Sequence, residues 1–300
     1  MGDYMAIKIE SALRITESGS LSAPKKPQGL SIGELERALL HMFPSEDAEK
    51  WDRTGLLVGD PCAEVKAVAV ALDPTSHAVQ EACDSGANVL LTHHPAFIES
   101  PKRFGPLGLG MSADGATVYE AISRDVALMN FHTTLDVSAQ AQAMLPGMLH
   151  LSVSDVLIPL SHDAKRGYGQ ICTFLEDEGE FSLGRLAARA TAIFGRQPRV
   201  WGDMSRVVST IVTWTGSASG ATSACISRGV DVLVCGEIKY HEALDAGAAG
   251  LCVIELGHDV SELPFVAVLA DAVARAGVPT AAIRCLDQSG NWTTPEARRA

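Results

Sequence analysis

The sequence predicts an α/β fold with largely parallel sheets, assembled from two similar halves. Three observations carry this. Short apolar runs of strand length alternate with helical stretches, one such unit is echoed later in the chain, and 300 residues at 47% hydrophobic are ample for the core this fold needs. Strands buried on both faces read as nearly unbroken apolar runs, and helices between them supply the crossovers that parallel pairing requires.

Residues 1–30 are polar and patternless, with Gly, Ser, Pro and Lys clustered over 18–27, and read as a flexible lead-in outside the fold. Periodicity begins at Ser31. Ile32, Leu35, Leu39 and Leu40 share one helical face, and Ser31 with Glu34 has the spacing of a capping box. The first half then reads strand 66–72, helix 75–85, strand 88–92, helix 116–125, strand 127–131 and a helix-like 139–145. A middle stretch carries a strand over 168–175 and a helix over 182–194. The rhythm returns with strand 207–214, helix 218–227, strand 231–234, helix 240–246, strand 251–255, helix 262–276 and strand 280–284.

The echo lies between Ser85-Gly86-Ala87-Asn88-Val89-Leu90-Leu91 and Arg228-Gly229-Val230-Asp231-Val232-Leu233-Val234. The strands before them, starting near Val68 and Ile211, keep the same offset. Leu135-Asp136-Val137-Ser138 later resembles Gly257-His258-Asp259-Val260-Ser261, again just after a strand. The expected organisation is therefore a first α/β half over 31–145, a connecting α/β segment over 146–205, a second half over 206–290 and a tail over 291–300. The connecting segment is too short for a further full-sized domain.

The chain carries 36 acidic against 24 basic residues, a formal net charge of −12. Such a surface repels phosphate backbones, so nucleic acid is not an expected partner. Lys25-Lys26 and Lys165-Arg166 are too short to reverse that. Seven cysteines without C-x-x-C spacing, and no apolar core in the first twenty residues, point to a reducing cytoplasm with free thiols. No apolar run approaches the roughly 20 residues of a membrane span.

Three strand ends carry the chemistry. Thr92-His93-His94-Pro95 follows the strand 88–92, at the carboxyl end where parallel sheets bind ligands. Adjacent side chains on an extended segment point to opposite sides, so the two histidines either reach two different metals or divide into a ligand and a supporting residue. His132-Thr133-Thr134-Leu135-Asp136 supplies Asp136, a hard oxygen ligand or a helix cap, and His132, a ligand or a donor behind one. Gly257-His258-Asp259-Val260-Ser261-Glu262 places His258 and Glu262 at i, i+4, on one face if helical. Glu262 also suits a first helical turn, and Asp259 or Glu255 could take its place. Isolated buried charges are costly unless paired or metal-bound. Five candidate ligands exceed the needs of one four-coordinate ion, and a carboxylate can bridge two, so the set predicts two metals. Three His and two carboxylates suit Zn foremost, and also Fe or Mn.

Two further segments lie at strand ends. Thr215-Gly216-Ser217-Ala218-Ser219-Gly220 is either a phosphate cradle or a tight strand-to-helix turn, since it lacks the lysine of a P-loop. Glu237 and His241 are candidate proton shuttles, with Lys239 between them able to offset phosphate charge, although Glu237 equally suits a helix start.

Taken in order, Trp51-Asp52-Arg53-Thr54-Gly55-Leu56-Leu57-Val58-Gly59-Asp60, Thr92-His93-His94-Pro95, His132-Thr133-Thr134-Leu135-Asp136, Gly236-Glu237-Ile238-Lys239-Tyr240-His241 and Gly257-His258-Asp259-Val260-Ser261-Glu262 resemble the dinuclear-metal-centre family labelled GTP cyclohydrolase 1 type 2 homologues. The resemblance spans about residues 30–290. It implies two interlocked α/β domains with a metal cleft between them and a ring-shaped homohexamer. It also implies the ligands His93, His94, Asp136, His258 and Glu262, with Glu262 as the bridge. The chain departs at Arg53-Thr54, where the family usually has Asn-Val, and at Cys235, often Thr in the family and here either a buried thiol or a ligand. It also lacks room for the ferredoxin-like insertion many members carry. The expectation is a metal-dependent hydrolase acting on GTP or another nucleotide or phosphorylated small molecule. The rival is a non-catalytic metal-binding scaffold or metal chaperone.

Overall fold

The computed structural model describes residues 29–175 and 179–292, so the expected lead-in 1–30 and tail 291–300 fall almost wholly outside the described residues. Helix α1 (Ile32–Met42) opens on Ser31. The Ser31 hydroxyl accepts from the Glu34 N–H, and the Glu34 carboxylate accepts from the Ser31 N–H. This is the capping box the sequence predicts, and it satisfies two otherwise orphaned donors. There follow β1 (Gly55–Val58), β2 (Val68–Ala71), α2 (Ser76–Asp84), β3 (Val89–Thr92), α3 (Ala113–Ser123), β4 (Ala127–Asn130), the single turn α4 (Thr133–Asp136) and α5 (Ala139–Met148). A long hairpin, β5 (Leu151–Leu160) and β6 (Asp163–Phe174), leads to β7 (Phe181–Ser182), α6 (Leu183–Phe194), β8 (Arg199–Trp201) and β9 (Val207–Val208). The chain closes with β10 (Ile211–Ser217), α7 (Ala221–Ser227), β11 (Val232–Glu237), α8 (Tyr240–Ala248), β12 (Cys252–Glu255), α9 (His258–Glu262), α10 (Phe265–Arg275) and β13 (Ile283–Cys285).

The elements form a mixed α/β fold around two large sheets. The first runs β1-β4-β3-β2-β13, parallel except for the edge strand β1. The second runs β5-β6-β10-β11-β12-β8, with β10, β11 and β12 parallel and antiparallel strands on either side. The echo has a geometric counterpart: Val68 pairs with Val89, and Ile211 with Val232, 21 positions apart in both cases.

Helices cover both faces of each sheet. In the first, Val68, Val70 and Leu72 meet Leu35 and Leu39 of α1 and Leu269 of α10, while Ala69 and Ala71 meet Ala78 and Val79 of α2 on the other face. Alternate residues of a strand face opposite sides, so the alanine face lets α2 pack close while the branched face fills the deeper core. Each large side chain fully buried here contributes about 1.5–3 kcal/mol.

The two sheets share chain segments. Helix α10 and strand β13, expected within the second half by sequence order, lie on the first sheet: β13 pairs with β2, and Phe265, Leu269 and Val273 complete the first core. The long helix expected over 262–276 divides at Leu263-Pro264, leaving Glu262 on the last turn of α9. Pro264 has no N–H to continue the ladder but suits the start of α10. Strand β5 has no counterpart in the sequence reading. Its Ser152–Asp155 stretch is exposed, as an edge strand permits.

Candidate metal centre

The carboxyl ends of β2, β3 and β4 from one sheet and β11 and β12 from the other converge. They deliver Asp73, His93 and His94, His132 and Asp136, then Glu237, and finally His258 and Glu262. His93 is fully buried, its ring edge-on to Phe265 at 5.1 Å between centroids. Its Nδ1 lies 3.1 Å from the Phe131 carbonyl oxygen. A carbonyl only accepts, so Nδ1 carries the proton and the Nε2 lone pair faces inward. That Nε2 is 3.6 Å from Asp136 Oδ1 and 3.7 Å from Glu262 Oε1, with no hydrogen-bond partner.

His94 and His258 are arranged in the same way. His94 Nδ1 is 2.7 Å from Asp73 Oδ1, and His258 Nδ1 is 3.2 Å from Glu237 Oε1. Their Nε2 atoms stand 3.3 Å apart, at 3.1 and 2.9 Å from Glu262 Oε2. Yet Glu262 Oε2 and Asp136 Oδ1 receive no hydrogen bond of good geometry. Two imidazole lone pairs this close repel each other unless positive charge sits between them.

Electrostatics point the same way. Burial opposes charge on His94, but Asp73 and Glu262 outweigh it and push the ring up to about 10. Glu262 and Glu237 hold His258 up at about 9 against its partial burial. Burial pushes Asp136 up to about 7, helped by the charge of Glu262. Glu262 itself is held well below the usual carboxylate range, because the imidazoles around it overcome its burial. The cluster is a negative cavity that draws protons or cations.

Three groups could hold a metal ion: His94 with His258 and Glu262; His93 with Asp136 and Glu262; and His93 with His94 and His132. The first two share Glu262. Orphaned, buried nitrogen and oxygen donors are what a mixed N/O divalent site requires. All five expected ligands therefore meet in one cluster. His132 joins its edge, with Nδ1 3.0 Å from Asp52 Oδ1 and its ring 5.1 Å from that of His93.

The other candidates separate. Glu237 is half-exposed and engaged with His258. His241 is exposed on α8, its ring 5.4 Å from Tyr240. Cys235 is fully buried among Val212, Leu233 and Val253, and burial raises its thiol, so it packs as a core residue. In the glycine-rich turn, the Gly220 N–H and the Thr222 hydroxyl both donate to Glu242 Oε1, at 3.0 and 3.1 Å. A side-chain carboxylate occupies the place expected for a phosphate.

Sequence reasoning missed Asp73 and the supporting role of Asp52. Asp73 follows a strand end, the signal that exposed the histidines. Asp52 accepts from the Thr133 N–H at 3.0 Å and the Thr133 hydroxyl at 2.5 Å. Burial works against its charge, but these bonds and His132 keep the carboxyl below its ordinary value.

Beside the cluster opens a cleft of about 510 Å³, lined by Glu49, Trp51, Tyr168, Gln170 and Trp214 together with Asp136, His258 and Glu262. Among the described residues, no helix is long and apolar enough to cross a membrane.

Comparison with known proteins agrees with this fold. The family model for DUF34/NIF3 (NGG1p interacting factor 3) matches residues 30–288. A protein of Streptomyces coelicolor named GTP cyclohydrolase 1 type 2 homolog is 30% identical over 238 residues, covering 78% of this chain and 82% of that relative. A like-named protein of Clostridium acetobutylicum is 28% identical, covering 80% and 88%. Among solved structures, a Staphylococcus aureus hypothetical protein superposes with a TM-score of 0.79 at 23% identity, covering 89% of this chain and all of that one. Reduced HcgD of Methanocaldococcus jannaschii gives 0.69 at 20%, covering 86% and 98%. At such identities these two show a shared fold. With the family model matched across nearly all of its folded length, the chain belongs to the DUF34/NIF3 family.

Proposed function

We propose that this protein is a dinuclear metal-dependent hydrolase acting on a nucleotide or related phosphorylated small molecule. Its ions are held by His93, His94, Asp136, His258 and Glu262. The observation that carries this reading is the pair of ligand triads sharing the buried Glu262 carboxylate. When bound, a metal pair supplies Lewis-acid polarisation of the scissile group and acidifies water; zinc suits the donor set best, with iron or manganese as the other fits.

The chain's own residues do the rest. Asp73 and Glu237 fix the tautomers of His94 and His258, and the Phe131 carbonyl fixes that of His93. Glu237, beside His258 and outside the ligand set, is the carboxylate that would accept or return a proton. The relatives' name supports a purine nucleotide as the first substrate to try.

The alternative reading is a non-catalytic metal-binding scaffold. It draws on the engagement of Glu237 with His258 and on the exposure of His241, which joins none of the candidate ligand groups. Metal analysis paired with turnover on a panel of nucleotides and phosphoesters separates the two. Turnover abolished in both His94→Ala and Glu262→Ala, with folding intact, supports the hydrolase. Full metal content with no turnover on any substrate favours the scaffold. Absence of any transition metal from the purified protein, with uptake unchanged in both variants, refutes the site.

A further inference from the structure

The cleft beside the metal cluster has two kinds of wall. One is acidic, formed by Asp136, Glu262 and Glu49. The other is aromatic. Tyr168 and Trp214, on the adjacent antiparallel strands β6 and β10, stack with centroids 5.8 Å apart and planes 24° from parallel. Trp51, 55% exposed and edge-on to His132, lines the same cleft.

The aromatic wall is rigidly built. The Trp214 indole N–H donates to the Ser217 carbonyl at 3.0 Å, which fixes the ring and leaves its face as the binding surface. That ring lies over Gly169. A Cβ there would meet Trp214 Cε3 at 2.9 Å and Leu157 Cβ at 3.1 Å, and φ is +72°, so a glycine is what allows the stack. The Tyr168 hydroxyl is buried and makes no hydrogen bond of good geometry. Burial, the charges of Asp136 and Glu49 and a hydrogen-bond contact with Glu49 keep it protonated, so it is a donor. The Gln170 amide lies beside it on the same strand, almost fully buried.

Charge limits what enters. Among the described residues no lysine or arginine lines the cleft, and the chain carries a formal −12. The ions held at Asp136 and Glu262 would account for one phosphate, and the further phosphates of a triphosphate tail would meet Glu49 with no described lysine or arginine to hold them. Phosphate sites elsewhere rely on Arg, Lys or free backbone N–H groups, and here the Gly220 N–H is taken by Glu242.

We infer that the stacked Tyr168–Trp214 pair forms one wall of a slot for a planar heteroaromatic ring, and that the ligand of this cleft is a nucleoside-like molecule with at most one phosphate. The inference rests on the metal reading only for where the reacting group sits. The slot residues are not metal ligands, so the two fail separately.

The test is calorimetric titration of the purified full-length protein, its metal content measured, with the four ribonucleosides, their mono- and triphosphates, and ribose 5-phosphate, without added magnesium. The expected result is binding of at least one nucleoside, monophosphate affinity equal or higher, and triphosphate affinity no higher than monophosphate. Trp214→Leu should weaken nucleoside binding about tenfold or more, the scale of one base-aromatic stack. It should leave ribose 5-phosphate unaffected. Tyr168→Phe, which keeps the stacked ring and so guards against a misfolded first variant, should weaken it about threefold to tenfold, the scale of one neutral hydrogen bond. Affinity that climbs tenfold or more from mono- to triphosphate overturns the inference. So does nucleoside binding indifferent to both variants, or no nucleoside binding by metal-replete protein. Slot-dependent binding by protein without metal would uphold the slot while refuting the metal centre.

Discussion

Gly216→Ala tests the centre without touching a ligand. Gly216 sits at φ +61° on β10, where the register with β11 shifts between Trp214 and Ser217. A Cβ built there falls on Glu262 Oε1 far inside van der Waals contact, with Glu262 Cδ at 3.2 Å and His258 Nε2 at 3.5 Å. Carbon and oxygen settle at about 3.5 Å, so the carboxylate must withdraw by roughly 1 Å. It has little freedom to do so, being 3% exposed and ringed by three imidazoles. Metal–ligand distances tolerate about 0.2 Å. Displacing the residue that both triads share should therefore cost metal affinity about 100-fold, the upper end for changes behind the ligands.

The backbone adds about 1 kcal/mol of left-handed strain, which lowers Tm by about 2–4 °C. Gly250→Ala is the matched control. It has φ +89° with nothing within 4 Å of its Cβ, so it carries the strain and not the collision. Metal content after exhaustive buffer exchange, competition against a chromogenic chelator and a thermal melt read out both proteins. The expectation is similar melting of the metal-free forms and metal loss in Gly216→Ala alone. A folded Gly216→Ala protein with wild-type metal affinity would refute the placement of Glu262 at the centre.

Three other outcomes follow from the same geometry. Chelation should lower Tm, because ions bound by both sheets stabilise the folded state by about 4 kcal/mol when present at a thousand times Kd; an unchanged melt in protein shown to have lost metal would count against ligands drawn from both sheets. Asp73→Asn keeps an acceptor 2.7 Å from His94 Nδ1 but removes the charge, and should weaken metal binding about tenfold, measured by chelator competition. At Asp231, burial favours the neutral acid, but the N–H groups of Thr210 and Ser209 outweigh it and hold the carboxyl below its ordinary value. A depressed folded pKa stabilises above the unfolded value near 3.8 and is lost as pH falls through the folded one, so Asp231→Asn should cost about 1–2 kcal/mol at pH 7. The difference from wild type should shrink below pH 4 in urea titrations, and a gap constant from pH 7 to pH 3 would reject this account.

The candidate ligands were legible because each follows an apolar strand of a parallel sheet, where chain order fixes which residues reach the crevice. His93, His94, Asp136, His258 and Glu262 all share that address. The same regularity exposed the capping box of α1, which depends on residues three apart. Strand β5 escaped because its apolar run is only Val156-Leu157-Ile158, with the mostly polar Ser152–Asp155 stretch before it and Pro159, a poor strand residue, after it. The return of α10 and β13 to the first sheet escaped for a different reason. Periodicity shows that α10 has an apolar face, and Phe265, Leu269 and Val273 bear that out. It does not show which of two sheets will receive that face.

The aromatic slot was beyond sequence reasoning on the same ground. Tyr168 and Trp214 are 46 positions apart and look like two scattered aromatics. They stack only because β6 and β10 pair antiparallel with Thr213 opposite Gln170, and because Gly169 leaves room for the indole. The candidate metal ligands come from the segments that follow strand ends, so a local pattern identifies them. The slot comes from the register between strands, which only the folded sheet sets. The same division extends to family members that keep the five candidate ligands. They can hold the same ions while differing wherever the register or the residue at the Gly169 position differs, so ligand choice should vary with the slot and not with the metal residues. Gly169→Ala in this chain tests that: it should weaken nucleoside binding while metal content stays at the wild-type level, and joint loss of both would show that the slot and the centre are not separable.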